Sequence, residues 1–171
     1  MGNMKEFIES IDQLICGLGK FISWFVPVMA ITVFCVVLLR YGFNASAIAA
    51  QESVQYMYAT IFMLGAATTL QADKHVRIDI FYRTYSKRQK TWVNVLGHVV
   101  FTLPICALIG LGSLGYVIDS WNAMEISPEP GGLPLVYLLK TLIPTMALML
   151  AAEALSKIYT GISYLFAAND R

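Results

Sequence analysis

The chain is predicted to be an all-α membrane protein with four transmembrane helices, both termini on the cytoplasmic side, and an N-terminal amphipathic helix at the interface. Three observations predict this. Hydrophobic residues make up 57% of the 171 positions and charged residues 13%, about half the roughly 25% charge of soluble domains. Four long apolar stretches, at about 21–40, 53–72, 92–118 and 138–159, divide the chain, each near the roughly 20 residues that a span requires. Loop charge is lopsided as well. The middle loop, 71–90, carries Lys74, Arg77, Arg83, Lys87, Arg88 and Lys90, whereas the loop after the third stretch carries Asp119, Glu125 and Glu129, with Lys140 at its far end. Lys and Arg accumulate on the cytoplasmic side. With the middle loop inside, only Arg40 and Lys140 of the 12 Lys and Arg fall outside.

Residues 4–20 form the amphipathic element. Phe7, Ile8, Ile11, Leu14, Ile15 and Leu18 recur at helical spacing, with Lys5, Glu6, Glu9, Asp12 and Gln13 on the other side. Such a helix lies in the cytoplasmic interface or extends the first span into the cytoplasm. The first span contains Pro27, a potential kink that membrane helices tolerate. Its apolar run of 19 residues, 21–39, is longer than a signal-peptide core, and Arg40 precedes the cleavage-like Ala45-Ser46-Ala47, so an uncleaved helix is expected. The short stretch 42–51 has the composition of a small surface-parallel helix.

The second span is uncharged over 53–72, and its inner half, Gly65-Ala66-Ala67-Thr68-Thr69, is small enough to pack closely on another helix. In the segment after it, charged and apolar residues alternate and Phe81, Tyr82 and Tyr85 add aromatics, which marks it as hugging the interface. The third span is uncharged for 28 residues, 91–118, so it tilts or projects. Trp92 and Trp121 stand near its ends, where aromatic belts belong. The loop Ser127-Pro128-Glu129-Pro130-Gly131-Gly132-Leu133-Pro134 specifies a shaped turn. In the fourth span only the 12 residues 141–152 are uncharged, so Lys140 or Glu153 must lie within it. Glu153 and Lys157 are four apart, in the favourable order for an ion pair.

Several classes are excluded. No polar segment is long enough for a soluble domain, and the basic loop is explained by topology without a nucleic-acid partner, although it can attract anionic lipid headgroups. Cys16, Cys35 and Cys106 form no CxxC pair, so neither a disulfide framework nor a zinc site is expected. There is no phosphate loop, nucleophile elbow or metal-spaced His/Glu pair, and no enzymatic activity is expected. Transport by the chain alone needs ionisable groups or broken helices at mid-membrane; Glu153 is the single candidate, and Lys157 is its ready structural partner. A small homo-oligomeric exporter using Glu153 is therefore one alternative. Another is a haem-carrying anchor of a respiratory enzyme using His75 and His98, with His75 otherwise bonding Asp79. Arg40 and Glu52, at the outer ends of adjacent helices, invite either a salt bridge or contact with a partner.

These residues together resemble the small membrane subunit of TRAP (tripartite ATP-independent periplasmic) transporters. Arg40-Tyr41-Gly42-Phe43-Asn44 is similar to that family's Arg-Tyr-x-Phe-Asn signature. Glu52 matches the acidic residue opening helix 2, Gly65-Ala66-Ala67 the small-residue patch, and His75-Val76-Arg77-Ile78-Asp79 the His-x-x-x-Asp segment. The 127–134 loop resembles the mannitol/chloroaromatic branch. Gln51 departs from the pattern, since many relatives carry a second acid there. The resemblance implies a bacterial inner-membrane protein working with a large membrane subunit, which holds the sodium and substrate sites, and with a periplasmic binding protein that delivers an organic acid. It implies a scaffold role without cofactor, metal or catalytic residue on this chain. Arg40, Tyr41, Asn44 and Glu52 would order the outer corner near the docking surface, and His75 and Asp79 the inner corner.

Overall fold

The computed structural model describes residues 2–75 and 82–167, and all regular structure among them is helical. The elements are α1 (Gly2–Ser23), α2 (Phe25–Phe43), α3 (Ile48–Gln71), a single 3-10 turn (Tyr82–Thr84), α4 (Lys87–Gly97), α5 (Leu103–Asn122) and α6 (Val136–Ala167). A π-helical turn, His98–Thr102, joins α4 to α5. Three helical stretches are long and apolar enough to cross a membrane: Ile8–Phe43, Lys87–Asn122 and Val136–Ala167. The 24 residues of α3 suffice in length, but this helix is less apolar. It packs against α1, α2 and α6, and a helix walled by protein needs fewer apolar residues than one facing lipid.

The boundary after the amphipathic segment lies at Trp24, three residues beyond the expected start of the first span. Pro27 stands in the first turn of α2, and the helical run Ile8–Phe43 is interrupted just before it, at Trp24, since the proline has no N–H and its ring presses on the carbonyl of Ser23. No residue of α2 is buried, whereas α1 is anchored by Ile15 and Ile22, 1% and 4% exposed. The apolar stripe of α1 therefore packs on protein: Ile11, Ile15 and Leu18 meet Leu64 and Ala67 of α3 and Met149 and Leu150 of α6. The small patch of α3 makes this approach possible. A Cβ on Gly19 would stand 2.6 Å from Thr68 Cγ2, so only glycine fits that crossing without a shift.

The expected surface helix in loop 1 is absent. Residues 44–47 are the whole loop, and the first turn of α3 takes the rest. Asn44 closes α2 in the left-handed region (φ 54), which Asn tolerates, and the Ala45 amide donates to the Leu39 carbonyl at 3.0 Å. Helices α3 and α5 end in Schellman motifs, with Asp73 (φ 55) and Met124 (φ 44) left-handed. Lys74 N–H donates to Thr69 C=O, and Glu125 N–H to Ser120 C=O, both at 3.0 Å. At the start of α4, Ser86 and Gln89 form a reciprocal capping box. The π turn precedes Pro104. That residue has no N–H, and its ring would press on the carbonyl four residues back. Widening the ladder so that Leu103 N–H reaches His98 C=O relieves this.

The last helix is 32 residues long, ten more than expected, and contains both Lys140 and Glu153. At about 48 Å it exceeds a hydrocarbon core of about 30 Å, so part of it projects or tilts. It packs on α1, α3, α4 and α5.

Candidate functional site

Polar side chains gather at two ends of the bundle. They are called outer and inner here, after the sides the charge rule assigns them.

The outer corner is built on Glu52, in the second turn of α3. Its Oε1 accepts the Ser127 hydroxyl, and its Oε2 accepts the Leu133 amide at 2.6 Å. These donors hang from one closed loop. Ser127 N–H donates to Leu133 C=O at 3.2 Å, and Gly132 N–H to Glu129 C=O at 2.9 Å. With Pro130 second and Gly131 third at φ +80, residues 129–132 make a type II turn, which requires a positive φ at its third position. A Cβ at Gly132 would run into Ser127 and Glu52.

The expected Arg40–Glu52 salt bridge is not formed. Arg40 Nη2 donates to Gln51 Oε1 at 3.0 Å instead, while both oxygens of Glu52 are taken by the loop. The position that departs from the family pattern is thus the one that holds Arg40. Tyr41 is 83% exposed and faces away, and Asn44 serves as the helix stop. Between Arg40 and the loop lies a cleft of about 610 Å³, lined among others by Gln55, Tyr56 and Glu129. The Tyr56 hydroxyl is buried without a partner among the described residues.

A second polar knot braces this end. Glu125 accepts from Ser120 at 2.6 Å and pairs with Lys140, whose ammonium sits 3.8 Å from the centre of the Tyr116 ring. The hydrogen bonds from Lys140 and then Ser120 hold the Glu125 carboxyl below the usual carboxylate range. Trp121 donates to the Thr141 hydroxyl at 2.9 Å and packs on Tyr137 with ring centres 4.6 Å apart.

The inner corner is the junction of α1, α3 and α6. Glu153 is 1% exposed. Its Oε1 lies 3.8 Å from Lys157 Nζ, and its Oε2 has no hydrogen-bond partner among the described residues. The ammonium's closer contact is the Gln71 carbonyl, at 2.8 Å. Asp12 of α1 joins the cluster: its Oδ1 accepts from Ser156 at 3.2 Å, its carbonyl accepts from Gln71 Nε2 at 2.7 Å, and its carboxylate acts on Glu153. Asp12 therefore belongs to the packed face of α1, not to its polar side. His75 Nε2 is 3.3 Å from the Ala66 carbonyl. Asp79, its expected partner, lies outside the described residues, as do the other positions of 76–81. His75 and His98 line the same groove of about 670 Å³, beside Cys106, with His98 Nδ1 3.2 Å from the Thr102 hydroxyl. No group of three or more His, Cys, Asp or Glu suited to a metal ion occurs among the described residues, and all three cysteines are free.

Sequence reasoning singled out Arg40, Asn44, Glu52, His75, Glu153 and Lys157. It noted Gln51 without its role as the partner of Arg40, and missed the roles of Ser127, Asp12, Gln71 and Ser156. Asp12 had only a weak local signal: on the helical wheel it lies just beyond Ile8, at the edge of the apolar stripe. The partners of Glu52 had none, since they lie 75 and 81 positions away.

Between the two corners the buried side chains are apolar, with Ala67 at 0% exposure and Ala147 at 3%. Residues 29–163 match the model of the family described as tripartite ATP-independent periplasmic transporters, DctQ component. A protein of Haemophilus influenzae named as a TRAP transporter small permease is 27% identical over 134 residues, covering 78% of this chain and 79% of the relative. The C4-dicarboxylate TRAP transporter small permease protein DctQ of Vibrio cholerae is 25% identical over 111 residues, covering 65% of this chain and 45% of that longer protein. No solved structure matches the chain. With its all-helical bundle and a family match running from within α2 to the last turns of α6, the chain belongs to the DctQ component, the small permease subunit, of tripartite ATP-independent periplasmic transporters.

Proposed function

We propose that this small permease subunit is a scaffold, without a transport site of its own, in a sodium-coupled system that takes up an organic acid handed over by a periplasmic binding protein. In this reading α3 is the fourth span beside the three apolar ones, both termini face the cytoplasm, and the chain resides in the bacterial inner membrane. The large permease subunit holds the sodium and substrate sites, and this chain carries no cofactor or enzymatic chemistry.

The observation that carries the reading is the distribution of buried polar groups. Among the described residues the buried polar side chains are Ser120, Ser156 and Glu153, and each lies at one of the two corners. A pathway needs polar groups strung through the membrane's middle. Here the buried side chains of the middle include Ala67, Cys106, Ala147 and Met149, and the part-buried hydroxyls of Thr60, Ser113 and Thr145 are each bonded back to their own helix. An organic acid is the solute class in the name of the Vibrio cholerae relative. The outer corner, with an exposed Arg40 and Glu129 beside an open cleft, supplies charges of both signs on the face that a binding protein would approach, and charges so placed steer an encounter more than they hold it.

Reconstitution into liposomes tests the proposal. The small subunit alone, and the large subunit with the binding protein but without the small one, are expected to take up no solute, whereas all three together take it up along a sodium gradient. Uptake by this chain alone would refute the scaffold reading and favour the homo-oligomeric alternative.

A further inference from the structure

The first two turns of α4 and the last two turns of α6 enclose a groove outside both corners. Its lining is Arg88, Trp92, Val95, Ile162, Leu165 and Phe166, around a volume of about 300 Å³. The floor is firm, since Val95 and Leu165 are 6% and 7% exposed. Close contact of the two helices seals one side: a Cβ on Gly161 would stand 2.6 Å from Val95 Cγ2. The walls are open, with Trp92 49%, Ile162 39% and Phe166 73% exposed. Both helices belong to stretches apolar enough to cross a membrane, so these walls face acyl chains.

Charge changes abruptly along this groove. Trp92 follows Arg88 by one helical turn, and residues 82–90 carry Arg83, Lys87, Arg88 and Lys90 with no acid among them. Arg83, Lys87 and Arg88 are exposed, while Lys90 sits 5.3 Å from the centre of the Tyr82 ring. An apolar slot capped by a guanidinium is complementary to an amphiphile with an anionic head. Guanidinium binds phosphate through two parallel N–H bonds, and tryptophan occupies the boundary between headgroups and chains. Basic pockets between spans at the cytoplasmic face are suited to acidic lipid headgroups.

We propose that the α4–α6 groove is a binding site for an anionic phospholipid, its phosphate at Arg88 and one acyl chain along Trp92, Ile162 and Phe166. The site stands apart from the transporter reading; only the choice of leaflet rests on the proposed orientation. Bound there, a lipid would tie the long end of α6 to the start of α4.

The test is native mass spectrometry of the full chain in mild detergent, titrated with phosphatidylglycerol, with phosphatidylcholine of the same acyl composition, or with inorganic phosphate. Phosphatidylglycerol adducts are expected to exceed phosphatidylcholine adducts, with no phosphate adduct. Arg88→Gln is expected to weaken the phosphatidylglycerol adduct roughly five-fold, the effect of one basic residue against an anionic lipid. Ile162→Trp fills the groove, leaves every basic residue in place, and is expected to weaken the adducts of both lipids. Equal binding of the two lipids by the wild type, or phosphatidylglycerol binding unchanged in both variants, would overturn the site. So would a phosphate adduct that displaces the lipid, or a dimer that Ile162→Trp abolishes, which would give the groove to a second copy.

Discussion

Two glutamates, one at each end of the bundle, are handled in opposite ways. Glu52 has both oxygens engaged, one by the Ser127 hydroxyl and one by the Leu133 amide. Glu153 is more deeply buried, yet one of its oxygens has no hydrogen-bond partner among the described residues and the other is 3.8 Å from an ammonium that is better held by Gln71. A carboxylate that accepts two hydrogen bonds acts as a clasp. A buried carboxylate left half-satisfied contributes little by its charge, because desolvation offsets the attraction. The outer glutamate is therefore indispensable to its loop, and the inner one is replaceable by a neutral isostere.

The largest expected effect is at the clasp. Glu52→Ala leaves two donors unmatched, whereas Glu52→Gln keeps an acceptor for the Leu133 N–H and can donate to the Ser127 oxygen, so its loss is expected to be the smaller. Hydrogen bonds to charged groups contribute about 1.5–3 kcal/mol each, so a loss of about 3 kcal/mol is expected for the alanine variant. Thermal unfolding in detergent measures the loss, and hydrogen exchange over 127–133 locates it. Retained protection of that loop would dissolve the contrast between the corners.

Next comes the crossing of α1 over α3. Gly19→Ala drives a methyl into Thr68, and overpacking of this kind costs about 1–3 kcal/mol. Thr68→Ala removes the obstructing atoms, so the double variant is expected to recover most of the loss in a double-mutant cycle. Strict additivity would mean that α1 is held elsewhere.

Glu153→Gln is expected to change stability by less than about 1 kcal/mol, because the lost contact is a long one and the new amide N–H can donate toward Asp12. A large destabilisation would show that the charge itself holds the junction.

The smallest effect depends on pH. The folded state lowers the Glu125 carboxyl through Lys140 and Ser120. A lowered carboxyl gives stability that is fully present above its unfolded value, near about 4.3, and is lost as pH falls through the folded value. Exchange protection over 123–127 is expected to hold from neutral pH to about 5 and to weaken only below about 4.3. Glu125→Gln should abolish that dependence, and a change near neutral pH would contradict the assignment.

Much of this architecture was legible in the sequence, for a physical reason. Hydrophobic length marks elements that face lipid, so α2 and the joined α4 and α5 stood out, whereas α6, with only 12 uncharged residues at 141–152, had to be extended over Lys140 or Glu153. The uncharged run 53–72 also marked α3, although that helix is less apolar, because protein neighbours relieve it of the need to be apolar all round. Element ends were harder to read. Met124 and Asp73 terminate helices in a conformation usually given to glycine, and the break before Pro27 falls at Trp24, three residues inside the expected first span. Functional pairs were legible only when close in sequence. Glu153 and Lys157 share a helix face, but the partners of Glu52 arrive from another loop after two more helices, and no local pattern announces them. The Arg40–Glu52 bridge was expected from proximity alone, and the proline loop outcompetes Arg40 for the carboxylate.

The central claim is that this subunit supports transport without taking part in ion or solute coupling. The most direct measurement is sodium-driven uptake by the reconstituted three-component system carrying Glu153→Gln, with the assembled complex quantified in the same preparation. Wild-type complex formation with uptake within about two-fold of wild type is the predicted result, since a factor of two is under 0.5 kcal/mol of barrier. An intact complex with uptake abolished would place a coupling group on this chain and contradict the account.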